Sequence, residues 1–144
     1  SAILIMTAAL ETSTKTHISE IAPDCSWLME SIASPPIFKI LKDYIPRLHK
    51  ERGTDMDFWD GAKPLLKVIQ RLVEVRNKVA HTGKIPKLVE PLDDYLLAVN
   101  DILYVLDALK GYEWAKSLVS RPVAHSLGWP ESKHHVMTIT IKHG

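Results

Sequence analysis

Apolar residues recur every three or four positions along most of this chain, which is the spacing of amphipathic α-helices. In the first half this spacing covers three segments: residues 2–22, 24–34 and 37–45. Each is followed by proline: Pro23, Pro35 with Pro36, and Pro46. Because proline lacks an N–H group and restricts the residue before it, it predicts the end of each helix. Residues 49–63 are polar and predict a loop, with a helix start near Asp57.

The next helix is the most clearly bounded one. Pro64 suits its first turn, and the stretch "LLKVIQRLVEVRNKVAH" carries the apolar residues. Thr82 and Gly83 close it, since glycine readily takes the left-handed conformation that follows a helix end. A linker bracketed by Pro86 and Pro91 comes after it.

The last helix begins near Leu92, and its pattern predicts that it continues past Gly111 to Val119. Residues 121–144 start irregularly and then alternate in the manner of a β-strand, with Met137, Ile139 and Ile141 against Val136, Thr138 and Thr140. We therefore predict an all-α, up-and-down helical bundle over residues 1–120 with an extended tail over residues 121–144. The tail would pair with another chain or with sequence outside this one, or lie along the helices.

Composition narrows the class of protein. The 144 residues are 46% hydrophobic, which is enough for one compact core. The 18 Lys and Arg residues nearly balance 17 Asp and Glu residues, so a broad basic surface for duplex nucleic acid is not indicated, although a local basic cleft is compatible.

The single Cys25 excludes an intrachain disulfide and favours a cytoplasmic setting. The apolar opening of about ten residues is too short to span a bilayer. Because no methionine begins this helix-like sequence, we expect further domains of a parent protein.

Arg76 lies on the packing side of its helix. On a helical wheel it falls about 20° from Leu65, near the centre of the apolar arc, while Asn77 and His81 occupy one flank. A buried guanidinium without a partner costs several kcal/mol, so an anion must meet it. The partner is a carboxylate of this chain, for which Glu11 is a candidate, or a second subunit, or an anionic ligand. A structural ion pair between helices is the simplest of these readings.

The stretch "RNKVAHTG", residues 76–83, resembles the signature of the HEPN family, small helical domains marked by an arginine, four to six residues and a histidine. Asn77 and Gly83 also match many members, and the order of the helices over roughly residues 1–120 is similar to the family's bundle. The branch it resembles forms C-terminal domains of larger bacterial defence or uncharacterised proteins.

The resemblance implies a metal-independent ribonuclease that works as a homodimer in phage defence or stress response, with no cofactor. It assigns Arg76 and His81 as the catalytic pair, Asn77 as an orienting residue and Glu11 as a supporting acid. A histidine exchanges protons near neutral pH and so suits transfer from a ribose 2′-hydroxyl, while an arginine holds phosphate. The product would be a 2′,3′-cyclic phosphate, and DNA would be spared because it lacks the 2′-hydroxyl.

One position departs from the family pattern. In toxin members a tyrosine two residues after the histidine is modified by a partner, whereas this chain has Gly83, which disfavours a toxin of that kind. Some members keep the fold without cleavage, so a non-catalytic dimerisation or nucleotide-sensing domain is the main alternative. A purely structural bundle in which Arg76 pairs with Glu11 is a third.

A metal site is not expected. The histidines of the tail are the candidates: His125, His134, His135 and His143. Neighbouring residues of a strand point to opposite faces, so His134 and His135 would make a poor joint site.

Overall fold

The computed structural model describes residues 1–32, 36–53 and 57–130. In these ranges it contains helices and turns but no β-strand, which confirms the predicted all-α bundle. The α-helices are α1 (Ala2–Ile21), α2 (Ser26–Ser31), α3 (Ile37–Lys39), α4 (Ile45–Glu51), α5 (Lys63–Thr82), α6 (Leu92–Leu109) and α7 (Arg121–Ser126). None of the described helices is long and apolar enough to cross a membrane. The alternating part of the tail lies in residues 131–144, outside the described ranges.

The core lies where the three long helices meet. Helix α1 packs against both α5 and α6, and α5 packs against α6. The apolar residues at helical spacing supply fully buried side chains from all three: Leu10, Ile69, Leu72, Tyr95 and Ile102. Burial of each large apolar side chain contributes about 1.5–3 kcal/mol, so this stripe is the main source of stability. An ion pair between Arg71 and Glu90 ties the linker before α6 to α5.

Pro46 does not end the helix that precedes it, contrary to the expectation from sequence. The helical run continues from α3 through a π-helical segment, Ile40–Tyr44, into α4. Ile45 donates its N–H to the carbonyl of Ile40 across the wider π turn. Pro46 then occupies the first turn of α4, where its missing N–H group is tolerated. The wider π turn therefore removes the clash with the preceding helical turn, on which the rule that proline ends a helix depends.

Helices α5 and α6 both begin as predicted, and α5 also ends as predicted, whereas α6 ends earlier. Helix α5 stops at Thr82, and Gly83 takes the left-handed conformation with φ 69° and donates its N–H to Val79. Helix α6 stops at Leu109 instead of continuing to Val119, and Gly111 with φ 102° redirects the chain into a 3₁₀ turn. The backbone leaves the α-helical region there, which the apolar spacing alone did not reveal.

The segment after α6 folds back onto the bundle. Asp101, buried in α6, accepts hydrogen bonds from the N–H and the hydroxyl of Ser120, both at 2.7 Å. Ser120 precedes α7, and α7 buries Val123 and Ala124 in the core. The irregular start predicted for the tail at residue 121 is therefore wrong for residues 121–126, which form a helix.

Candidate functional site

Arg76 lies at a seam between three helices. Its Nη2 atom is 3.9 Å from Oε2 of Glu11 on α1, and its Nη1 atom is 3.5 Å from Oδ1 of Asn77. Both distances exceed those of a normal charge-assisted hydrogen bond. Glu11 also meets Lys15 at 3.5 Å, and the ammonium of Lys15 donates to the carbonyl of Ile32 at 2.6 Å. The carboxylate therefore stands between two cations and holds the guanidinium towards α1.

The environment of Arg76 is more open than the helical wheel indicated. Its side chain keeps 29% of its exposure, so it lies at the edge of the packing face and not at its centre. Helices α1 and α3 both pack against α5 near this residue. A gap remains where the three helices meet. The ideal wheel assumes one continuous packing face, whereas α5 contacts three neighbours, α1, α3 and α6.

The gap is a cavity of about 510 Å³. Helix α1 contributes Thr7, the start of the α3 run contributes Pro36 to Lys39, and α5 contributes Val73, Arg76 and Asn77. The hydroxyl of Thr7 donates to the carbonyl of Ile3 at 2.9 Å, so this residue adds mainly its methyl group to the wall. Two of the four residues predicted for the site, Arg76 and Asn77, thus line one cavity, with Glu11 against the arginine.

His81 stands apart from this group. It is exposed in the last turn of α5. It lies five positions after Arg76, which corresponds to about 7.5 Å along the helix axis and about 140° around it. Asn77, also exposed, lies one turn before His81 on the same flank. Within one chain the fold brings Arg76, Asn77 and Glu11 together and leaves His81 on the adjoining surface.

Two histidines that the sequence analysis did not single out meet inside the core. His17 of α1 and His49 of α4 have their Nε2 atoms 2.9 Å apart, and both side chains are buried. Burial, followed by the nearby His49 and Lys110, lowers the pKa of His17 to about 3. Burial, followed by the positive charge of Arg52, also lowers the pKa of His49. The position of His17, three residues after the buried Thr14 on the apolar side of α1, was the available signal.

No metal-ligand cluster is formed within the described ranges, where no three His, Cys, Asp or Glu side chains converge. His125 is exposed in α7. His134, His135 and His143 lie outside the described residues, so the prediction about them is untested.

No family model matches the chain, and neither a curated protein nor a solved structure shows similarity to it. The resemblance to the HEPN family therefore depends on residues 76–83 and on the order of the helices. It stays a prediction, and the geometry around Arg76 is the ground on which a function is proposed.

Proposed function

We propose that this bundle is a metal-independent RNA endonuclease module that uses Arg76 and His81. The observation that carries the proposal is the placement of Arg76 on the wall of an open cavity, beside Asn77. An arginine that served only to join two helices would gain little from such a position, whereas one that binds a phosphate needs access to solvent. The exposed His81 further along α5 supplies a group that exchanges protons.

The chemistry follows from these two side chains. His81 accepts the proton of a ribose 2′-hydroxyl, the 2′-oxygen attacks phosphorus, and the bond to the 5′-oxygen breaks. A protonated histidine, that of a facing subunit, gives a proton to the leaving 5′-oxygen. Arg76 binds the non-bridging oxygens and stabilises the charge that grows on them. The products are a 2′,3′-cyclic phosphate end and a 5′-hydroxyl end.

A homodimer is part of the proposal, because the two catalytic side chains diverge around α5 within one chain. Exposed apolar side chains support an association surface. Ile85 and Val89, in the linker that follows His81, are 59% and 74% exposed, and Ile5 of α1 is 71% exposed. Burial of such residues between two copies would be favourable, and the proposal requires a dimer in which the arginine of one motif approaches the histidine of the other.

The contact between Arg76 and Glu11 favours a second candidate function. A carboxylate of the same chain already balances the guanidinium, so the domain is also compatible with a non-catalytic role in dimerisation or in sensing a nucleotide. In that case the cavity would bind an anion without cleaving it.

Cleavage of a labelled single-stranded RNA in the presence of EDTA tests the proposal. The wild type should produce cyclic-phosphate ends, and Arg76→Ala and His81→Ala should each abolish them. A DNA strand of the same sequence is the negative control. A confirmed dimer that leaves the RNA intact would favour the non-catalytic role.

A further inference from the structure

The cavity beside Arg76 has a lining that the proposed cleavage reaction does not require. Besides Arg76 and Asn77 it includes Phe38 and Lys39, from the beginning of the helical run α3 to α4. Neither residue belongs to the motif at residues 76–83, and they come from a different helix. The reaction needs a phosphate contact and a proton carrier, so an aromatic ring and a second cation point to another part of the ligand.

The charged residues that line the cavity favour an anionic ligand. Among the main cavities formed by the described residues, this is the one whose lining includes cations and no carboxylate; each of the others includes at least one Asp or Glu. Two positive side chains border it from different helices, Arg76 from α5 and Lys39 from α3. The carboxylate of Glu11 contacts the guanidinium without lining the cavity.

The volume and the lining of the cavity suit a single nucleotide. A volume of about 510 Å³ lies within the range of small-ligand sites and is too small for a duplex. Phe38 is half-buried, so its ring is fixed by the core while part of it faces the cavity. The ammonium of Lys42 lies 5.9 Å from the centre of that ring, which adds positive charge next to the aromatic wall. Unpaired bases stack on such rings, and phosphates bind the neighbouring cations.

We infer that this cavity binds one unpaired nucleotide next to the cleaved phosphodiester, with its base against Phe38 and a flanking phosphate on Lys39. The inference rests on the proposed function, and it specifies the substrate as single-stranded at this position. The ammonium of Lys39 now lies 5.9 Å from the centre of the Tyr44 ring, an exposed contact that a phosphate can replace.

Binding of a fluorescent single-stranded oligonucleotide with a 2′-O-methyl group on every ribose separates this inference from cleavage, since the probe has no free 2′-hydroxyl. Phe38→Leu keeps an apolar side chain and removes the ring, and it should weaken binding by about 5- to 150-fold. Lys39→Ala should make the negative slope of log K against log salt concentration less steep by about 0.7, the value for one phosphate contact on a single strand. Lys50→Ala, at an exposed position of α4, is the matched control and should bind as the wild type does.

The outcomes distinguish the two proposals. A wild type that cleaves RNA, with unchanged probe binding in Phe38→Leu and Lys39→Ala, overturns the subsite and leaves the nuclease intact. Suppose instead that the wild type binds the probe without cleaving RNA, while Phe38→Leu weakens binding and Lys39→Ala reduces the salt dependence. That result supports the subsite and overturns the nuclease. No binding by the wild type overturns the subsite. Lys39 is exposed, so its variant remains informative even if Phe38→Leu reduces folding.

Discussion

Histidine occurs in two contrasting places in the described bundle. His17 and His49 meet in the core between α1 and α4, with their rings in contact and their side chains buried. His81 stands exposed at the end of α5, one turn after Asn77, which lines the cavity that contains Arg76. The first pair joins two helices, and the second position can meet a ligand.

The difference shows how placement decides what one residue type does. A buried imidazole loses hydration of its charged form, and the His17–His49 contact requires one ring to donate and the other to accept. Two protonated rings would bring two N–H groups together, so acid opposes the contact. An exposed imidazole keeps access to solvent and can pass a proton to or from a substrate.

The largest expected effect is on cleavage. His81→Ala should lower the rate of RNA cleavage by about 10²- to 10⁴-fold, because it removes the group that carries the proton. His125→Ala is the matched control, since His125 is likewise exposed in the last turn of a helix, α7. Single-turnover cleavage measures both variants. Equal loss in the two, or loss in neither, would contradict the assignment of His81.

For the stability of the fold we expect the opposite: loss of the core histidine should matter and loss of His81 should not. His17→Ala should lower the free energy of unfolding by about 2–5 kcal/mol, because it leaves a cavity in the core and removes the partner of His49. His81→Ala should change it by less than about 0.5 kcal/mol, as expected for an exposed side chain. Urea denaturation followed by circular dichroism measures both. A similar change in the two variants would remove the contrast between the core pair and the surface histidine.

Acid should weaken the bundle through the core pair. The pKa of His17 is near 6.5 in the unfolded chain and about 3 in the folded one, so the unfolded chain binds the proton first as pH falls. The stabilisation is complete above pH 6.5 and is lost progressively as pH falls from 6.5 towards about 3. The limiting slope from one such group is about 1.4 kcal/mol per pH unit.

Denaturation between pH 6.5 and 5, where most carboxylates are still ionised, measures this slope. The double variant His17→Leu with His49→Leu is the control, and its stability should depend less on pH in that interval. An unchanged slope in the double variant would show that other groups carry the acid sensitivity.

The smallest expected effect concerns Glu11. A partly exposed ion pair at 3.9 Å should have a coupling energy of about 0.2–1 kcal/mol. A double-mutant cycle of Glu11→Gln and Arg76→Gln, read by urea denaturation, measures it. A coupling of several kcal/mol would instead mark Arg76 as half of a structural pair, and would favour the non-catalytic alternative.

Local patterns predicted much of the fold. The spacing of apolar residues predicted α1, α5 and the start of α6, and Gly83 marked the end of α5 correctly. The errors came where the backbone departs from one regular helix. Pro46 was expected to end a helix that continues through a π turn, and α6 was expected to pass Gly111, where the chain turns instead. Such departures depend on how the ends of helices pack, which local spacing does not contain.

The candidate site divides in the same way. The sequence by itself determined the separation of Arg76, Asn77 and His81, to which we assign the proposed chemistry, because they share one helix. It also offered Glu11 as a partner for the arginine. Only the tertiary structure decided that Glu11 reaches Arg76, that Phe38 and Lys39 border the same cavity, and that His17 meets His49. Each of these contacts joins different helices, and their distances are set by packing across the bundle. A helix fixes the spacing of its own residues, whereas the partners it meets depend on the whole core.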